Sequence, residues 1–298
     1  MLSRRDVDHY AQSCHVDRYV AETNVVLTFV LKVLSEENPV LPLLESLAFK
    51  GGTCLRKAYF GENTRFSMDL DFTFIGADRK DFRKRIRGLL DKRTHYGISF
   101  KMEERAVGDG SGFGAKISYS HEWRDSNFEF EVSFRELPIL PVTMRLLKDE
   151  LYWRYCGFKP FKVNCMNMEE LIAEKLRASI ERTTVRDLYD LYIYSSHAFD
   201  EERVRTLAVL KCWRSGSKFD AAVLLKKFES SKYNWKNLER LVRPERMPDE
   251  RKLVEDVCRR YTFLKELDTS LSIIAGDAAR HRHGNLVDEK IENLKKTK

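Results

Sequence analysis

The run Phe66-Ser67-Met68-Asp69-Leu70-Asp71-Phe72-Thr73-Phe74 constrains this chain more than any other segment. Phe66, Met68, Leu70, Phe72 and Phe74 fall at every second position, the period of a β-strand with one buried face. Ser67, Asp69, Asp71 and Thr73 then share the other face. Two carboxylates one residue apart in that alternation project side by side toward a common point. Such a pair suits Mg2+, with Mn2+ as the alternative, since a hard cation takes one or two carboxylates and completes its shell with phosphate oxygens and water. Paired ions can hold both the attacking and the leaving oxygen of an in-line displacement. The competing reading is plain: an Asp-x-Asp on a strand also serves as a solvated face.

Just upstream stands Lys50-Gly51-Gly52-Thr53-Cys54-Leu55-Arg56-Lys57. Gly51 and Gly52 let the backbone come close to a phosphate, and a helix starting near Thr53 aims its free N–H groups at that anion. The Thr53 hydroxyl adds a donor. Turn, helix and double-aspartate strand together point to phosphoryl transfer from a nucleoside triphosphate. Ser67 shares the carboxylate face and is a candidate to hold the triphosphate. Arg56, Lys57 and Arg65 lie near the turn in sequence, where each either meets phosphate or stands as exposed charge. The usual P-loop pattern, Gly-x-x-x-x-Gly-Lys-Ser/Thr, does not occur.

The pattern Lys-Gly-Gly-Thr-x-Leu-Arg-Lys, then Arg-Phe-Ser-x-Asp-Leu-Asp-Phe, then Glu174-Lys175 and Arg186-Asp187-Leu188-Tyr189-Asp190-Leu191, resembles the AbiEii/MenT family of nucleotidyltransferase toxins from type IV-like toxin–antitoxin systems. The matching motifs span about residues 50–191. The resemblance implies an α+β fold: a polymerase-beta-like nucleotidyltransferase core with a mixed sheet, followed by a helical C-terminal region. It also implies addition of nucleotides from an NTP to the 3′ acceptor end of tRNA, which blocks aminoacylation and translation, and a cognate antitoxin protein as partner. On this reading residues 1–155 form the nucleotidyltransferase domain, and residues 156–298 a mainly helical domain that completes the active site.

The resemblance sharpens several residues. Phe128, Phe130, Val132 and Phe134 predict a strand over 127–135 whose other face carries Glu129, Glu131, Ser133 and Arg135. Sites of the polymerase-beta type recruit a third carboxylate from a neighbouring strand, to bind metal or activate the attacking hydroxyl. Glu131 is the candidate and Glu129 the reserve, against the alternative of two solvent-facing charges. Lys175 sits on the flank of a helix over 168–182, where an ammonium counters charge on the triphosphate or its leaving pyrophosphate; the bland alternative is a solvent-facing lysine. Thr184 and Asp187 read as a capping box, while the family motif places an aspartate at the active site. Catalysis is thus assigned to Asp69, Asp71, Lys175 and Asp187. Nucleotide binding goes to Gly51, Gly52, Thr53, Arg56, Ser67 and Lys175, and metal to Asp69, Asp71 and Glu131.

Bulk properties agree without deciding. The 298 residues carry a net charge of +7 with pI near 9.0, which favours a polyanionic partner such as tRNA. Charges of both signs are mixed along the chain, which simple solubility also explains. No run approaches the roughly 20 apolar residues of a membrane helix, and no secretory apolar core follows Met1, so the expected location is cytoplasmic. The six cysteines show no Cys-x-x-Cys spacing and read as free thiols.

Elsewhere the spacing predicts helices over 15–34, 81–90, 184–195, 211–229 and 252–267, strands over 98–104 and 114–119, a glycine-rich turn over 108–112, and a frayed tail from 292. Trp213, Tyr233 and Trp235 either stack on unpaired bases or pack between helices. Two other functions share this sequence: nucleotidyl transfer to a protein hydroxyl, as in AMPylation, and a non-catalytic module binding RNA or GTP.

Overall fold

The computed structural model describes residues 2–37, 42–105, 110–277 and 282–296. The chain divides into two units. The first comprises Met1–Pro138, Val142–Met166 and Arg240–Arg246; the second comprises Ile139–Pro141, Asn167–Glu239 and Met247–Lys298.

The first unit begins with α1 (Arg4–Cys14) and α2 (Arg18–Glu36). Ser3 and Asp6 cap α1 reciprocally, each side chain accepting from the other's backbone N–H. Then come β1 (Leu47–Lys50) and α3 (Gly51–Cys54), which runs on as a π-helix over Leu55–Phe60. There follow β2 (Asp69–Phe74), α4 (Arg79–Leu90), β3 (Arg93–His95), β4 (Ile98–Arg105), β5 (Gly112–His121), β6 (Arg124–Ser133), β7 (Thr143–Leu146), α5 (Trp153–Cys156) and β8 (Lys162–Cys165). The strands form one mixed sheet in the order β3-β4-β5-β6-β2-β1-β8-β7. Its parallel pairs are β2 with β6 and β1 with β8; the rest are antiparallel.

The alternation in β2 and β6 sorts the sheet into a greasy face and a polar one. Leu70, Phe72, Phe130 and Val132 are buried. Helix α4 covers part of this face with Phe82, Ile86 and Leu90, spaced one turn apart, and Phe82 meets Phe74, Phe113 and Phe134. Strand β2 starts at Asp69 rather than at Phe66. The reason is local: the Phe66 N–H donates to the Leu241 carbonyl at 2.6 Å, so the chain there is bonded outside the ladder. Of the predicted glycine-rich turn, Gly108 and Asp109 lie outside the described residues.

The first unit also holds a buried ionic network. Arg56 donates to Glu150 Oε2 from Nε at 3.1 Å and from Nη2 at 2.8 Å, while Lys57 donates to Glu150 Oε1 at 3.1 Å. Tyr10 and Asn24 donate to the same carboxylate, and Tyr152 contributes its hydroxyl. Arg56, Lys57 and Glu150 are 0%, 2% and 2% exposed. The network ties the π-helix to α1, to α2 and to the segment before α5.

The second unit is helical in its secondary structure: α6 (Met168–Glu181), α7 (Val185–Ser195), α8 (Glu201–Ser215), α9 (Ala221–Ser230), α10 (Trp235–Glu239), α11 (Glu250–Arg260), α12 (Thr269–Gly276) and α13 (Gly284–Lys296). The helix predicted over 211–229 is two helices. Gly216 adopts φ 76° and ends α8 in the left-handed region, and Asp220 caps α9 by accepting from the Val223 N–H. The helix predicted over 252–267 stops at Arg260 and yields to a 3-10 turn, Thr262–Lys265. Residues 292–296 of the expected frayed tail lie within α13. Buried Lys211 joins α8 to α6 through Glu170 and Glu174, each at 2.7 Å. Glu170 in turn accepts from the Ile139 and Leu140 N–H groups. Among the described residues no helix is long and apolar enough to cross a membrane. All six cysteines are free.

The division between the units falls at Met166/Asn167, whereas the sequence suggests 155/156. The physical reason is β8, which pairs β1 on one side and β7 on the other and so belongs to the sheet.

Candidate active site

Strand register assembles the carboxylates. Parallel pairing sets Asp69 opposite Glu129 and Asp71 opposite Glu131. Directly opposed residues point to the same face of a sheet, so four acidic side chains share a patch two strands wide. Glu129 has a counter-charge, since its carboxylate meets Arg105 at 2.9 Å. Glu131 lies at the solvent face yet is crowded by its neighbours. Desolvation, then the charges of Asp71 and Asp69, push its carboxyl above the ordinary range. The sequence leaves Glu131 and Glu129 open as third carboxylate; the register and the Arg105 pair favour Glu131.

The turn before β2 is shaped around Asp71 and Arg65. Gly51 adopts φ 75°, and a Cβ there would sit 2.3 Å from Asp71 Oδ2. At Gly52 a Cβ would sit 2.3 Å from Arg65 Nη2. Both glycines therefore let a charged side chain of the protein lie against the backbone, a tighter demand than the open approach to phosphate that the sequence suggests. The Thr53 hydroxyl donates to the Asp69 carbonyl, so its proton braces the start of β2 instead of facing a phosphate. Ser67 is buried just before the strand. Arg65 is buried too and donates to the Phe66 carbonyl at 3.1 Å.

Arg56 requires correction as a nucleotide-binding residue. Its guanidinium is wholly buried, bonded to Glu150 and to the Thr64 carbonyl, and lies 3.8 Å over the Phe66 ring. No donor remains directed at solvent from such a position. Burial alone would raise the Glu150 carboxyl; the Arg56 and Lys57 charges override it and hold Glu150 well below the usual carboxylate range. Burial also lowers Lys57 to about 8, against the pull of Glu150.

In the second unit Lys175 and Asp187 come together. Lys175 Nζ lies 2.8 Å from Asp187 Oδ1 and 2.8 Å from Asp190 Oδ2. Arg182 Nε donates to Asp187 Oδ2 at 2.8 Å, and the Thr184 hydroxyl donates to the same oxygen at 2.6 Å. Thr184 also caps α7 by accepting from the Asp187 N–H. The cap is thus half the expected box: the Asp187 carboxylate binds side chains, and Lys175 is its principal charge. Burial opposes ionisation of Asp187, yet Lys175, Arg182 and Thr184 hold its carboxyl far below the usual range. Trp213 donates to Asp277 at 3.1 Å, while Tyr233 and Trp235 pack on each other with ring centroids 5.6 Å apart.

The family model described as nucleotidyl transferase AbiEii toxin, type IV toxin–antitoxin system, matches residues 32–281. The chain belongs to the AbiEii family. The solved structure of MenT4, a nucleotidyltransferase toxin from Mycobacterium tuberculosis H37Rv, is similar over 99% of this chain and 100% of that one, at 25% identity and TM-score 0.84. JHP933 from Helicobacter pylori aligns over 97% of this chain and 100% of its own at 17% identity and TM-score 0.49. No curated protein matches the chain. The mixed sheet with a helical C-terminal region of this AbiEii member is the fold of the MenT nucleotidyltransferases.

Whether the AbiEii carboxylates fit a metal is a question of donor set. Among the described residues no three His, Cys, Asp or Glu side chains close around one point as a self-sufficient cage would. Asp69 and Asp71 nevertheless offer two carboxylates on one face, where desolvation and then their charges raise the Glu131 carboxyl. That set fits a hard cation that draws its remaining oxygens from phosphate and water. Sequence reasoning passed over Lys50, the register partner of Asp71; its position directly before Gly51-Gly52 was the available signal.

Proposed function

We propose that the chain transfers a nucleotide from an NTP to the 3′ acceptor end of tRNA, with Asp69 and Asp71 holding Mg2+ or Mn2+. The observation that carries this reading is the register of Asp69, Asp71 and Glu131 on one sheet face within an AbiEii chain. A cation there supplies positive charge to the reacting phosphate and the departing pyrophosphate. Glu131, directly opposite Asp71 on the same sheet face, accepts the proton of the attacking ribose hydroxyl. The new bond joins that oxygen to the α-phosphorus, the bond from the α-phosphorus to the bridging oxygen breaks, and pyrophosphate leaves with the electron pair.

The resemblance assigns the triphosphate a lysine, and Lys175 has the pairing such a residue needs. Asp187 and Asp190 keep its ammonium charged and fixed in orientation. The RNA assignment rests on the resemblance and on charge. Helix α4 carries Lys80 and Lys84, which are exposed and make no salt bridge among the described residues. Such exposed cations meet phosphates by releasing counterions. An antitoxin encoded with the chain is the expected control.

The test incubates purified protein with total tRNA, Mg2+ and each α-labelled NTP in turn, beside Asp69→Ala, and separates RNA from protein on a denaturing gel. Label in tRNA that the variant loses is the expected result. Label in protein redirects the reaction to a polypeptide hydroxyl, and no label overturns the transferase reading.

A further inference from the structure

Lys50 is the last residue of β1 and stands directly opposite Asp71 in the antiparallel pair. Asp71 stands opposite Glu131 in the parallel pair. Lys50, Asp71 and Glu131 therefore form one row across three strands, on one face, at strand spacings of about 4.8 Å. The order in the row is cation, metal-binding carboxylate, proton-accepting carboxylate. Lys50 is half-buried, and its charge is felt at Glu131, where it opposes the upward push of the aspartates. Even so, among the described residues Lys50 forms no salt bridge with either neighbour. A lysine placed only to neutralise Asp71 would close onto it, as Lys57 closes onto Glu150 at 3.1 Å.

We infer that Lys50 is a catalytic residue whose ammonium contacts the β- and γ-phosphates of the nucleoside triphosphate and travels with the charge of the leaving pyrophosphate. This rests on the nucleotidyl-transfer reading above. In-line displacement requires the attacking oxygen and the leaving oxygen on opposite sides of the α-phosphorus. The row meets that demand: Glu131 lies on one side of Asp71 and Lys50 on the other. An ammonium on the leaving side gains most where negative charge accumulates during bond breaking. Phosphates of the RNA backbone share this chemistry, but they arrive with the attacking hydroxyl, on the Glu131 side.

The experiment uses the full chain and two variants, Lys50→Met, which keeps the aliphatic stem, and Lys50→Arg, which keeps the charge. Calorimetry with Mg2+ compares a non-hydrolysable α,β-methylene triphosphate with the matching nucleoside monophosphate, and melting curves check that each variant folds. Lys50→Met should weaken the triphosphate by about ten- to a hundredfold, the range of a charge-assisted contact. Monophosphate binding should stay within about twofold, and Lys50→Arg should recover most of the triphosphate affinity. Equal loss for both ligands makes Lys50 structural and overturns the inference, as does loss of RNA binding alone. Unchanged triphosphate binding in Lys50→Met overturns the Lys50 assignment and leaves the transferase reading intact. A wild-type chain that binds no triphosphate overturns both.

Discussion

Replacing Glu150 by Gln should unfold the first unit far more readily while leaving every surface residue in place. The wild-type carboxylate accepts from Arg56 at 3.1 and 2.8 Å, Lys57 at 3.1 Å, Tyr10 at 2.6 Å and Asn24 at 3.0 Å. Gln keeps the shape but removes the charge and turns one acceptor into a donor. Two cations are then left buried without an anion. Breaking a buried pair in this way costs about 3–5 kcal/mol, and a domain of this size moves roughly 2–4 °C per kcal/mol. The melting temperature should fall by about 6–20 °C. The pH dependence has a fixed sign. Because the folded carboxyl lies below its ordinary 4.5, Glu150 contributes stability above that pH and loses it as the pH falls through the depressed folded value. The gap between wild type and variant should therefore close as the pH drops below about 4.5. Thermal melts from pH 3 to 8, followed by circular dichroism, make the measurement. A melting shift under about 2 °C at neutral pH, or a gap that stays constant into acid, refutes the reasoning.

Gly51→Ala should cost about 1–2 kcal/mol for the left-handed backbone and displace the Asp71 carboxylate, so nucleotide transfer should drop about a hundredfold in a chain that still melts cooperatively. Unchanged transfer sinks the claim that the turn positions Asp71. Asp187→Asn removes the charge that holds Lys175 and Arg182; because that carboxyl is depressed, its contribution is present above 3.8 and lost in acid. The variant's second unit should thus lose about 1–3 kcal/mol at neutral pH and show a flatter acid profile in urea titrations. Lys57, lowered to about 8 from 10.5, adds stability as the pH rises through that interval, and the gain should be missing from melts of Lys57→Met.

The sequence exposes the sheet core and the carboxylates because both obey a period of two. Phe72 and Phe130 alternate with Asp71 and Glu131, and the pattern alone fixes which side chains share a face. What no single strand reveals is its neighbour. That Asp71 faces Glu131 depends on β6 pairing parallel to β2, a long-range choice made by the connections between them. Arg56 misleads for a related reason. Its charge and its nearness to Gly52 suggest a phosphate, but the partner that claims it, Glu150, lies 94 residues away. The split of 211–229 was legible, since Gly216 and Asp220 are ordinary stop and start signals.

The charges of this protein divide by depth, and the division explains why the site needs both kinds. Buried charges come with matched partners: Glu150 with Arg56 and Lys57, Glu170 with Lys211, Asp187 with Lys175. Each such group fixes a backbone segment next to a proposed functional residue. The Glu150 network anchors the π-helix that continues from the Gly51-Gly52 turn, so the turn cannot drift from Asp71 without breaking buried ion pairs. The polar sheet face gathers carboxylates of one sign. Asp71 and Glu131 stand directly opposite each other there, like charges that a bound cation would relieve. The Glu150 network thus holds the turn in place against Asp71, and metal and nucleotide that bind the folded chain add their binding energy to its stability. Titrating Mg2+ should accordingly raise the melting temperature of the wild-type chain, and Asp69→Ala should abolish most of that rise. A rise that Asp69→Ala leaves intact would mean that the ion binds away from Asp69, and would refute the metal assignment.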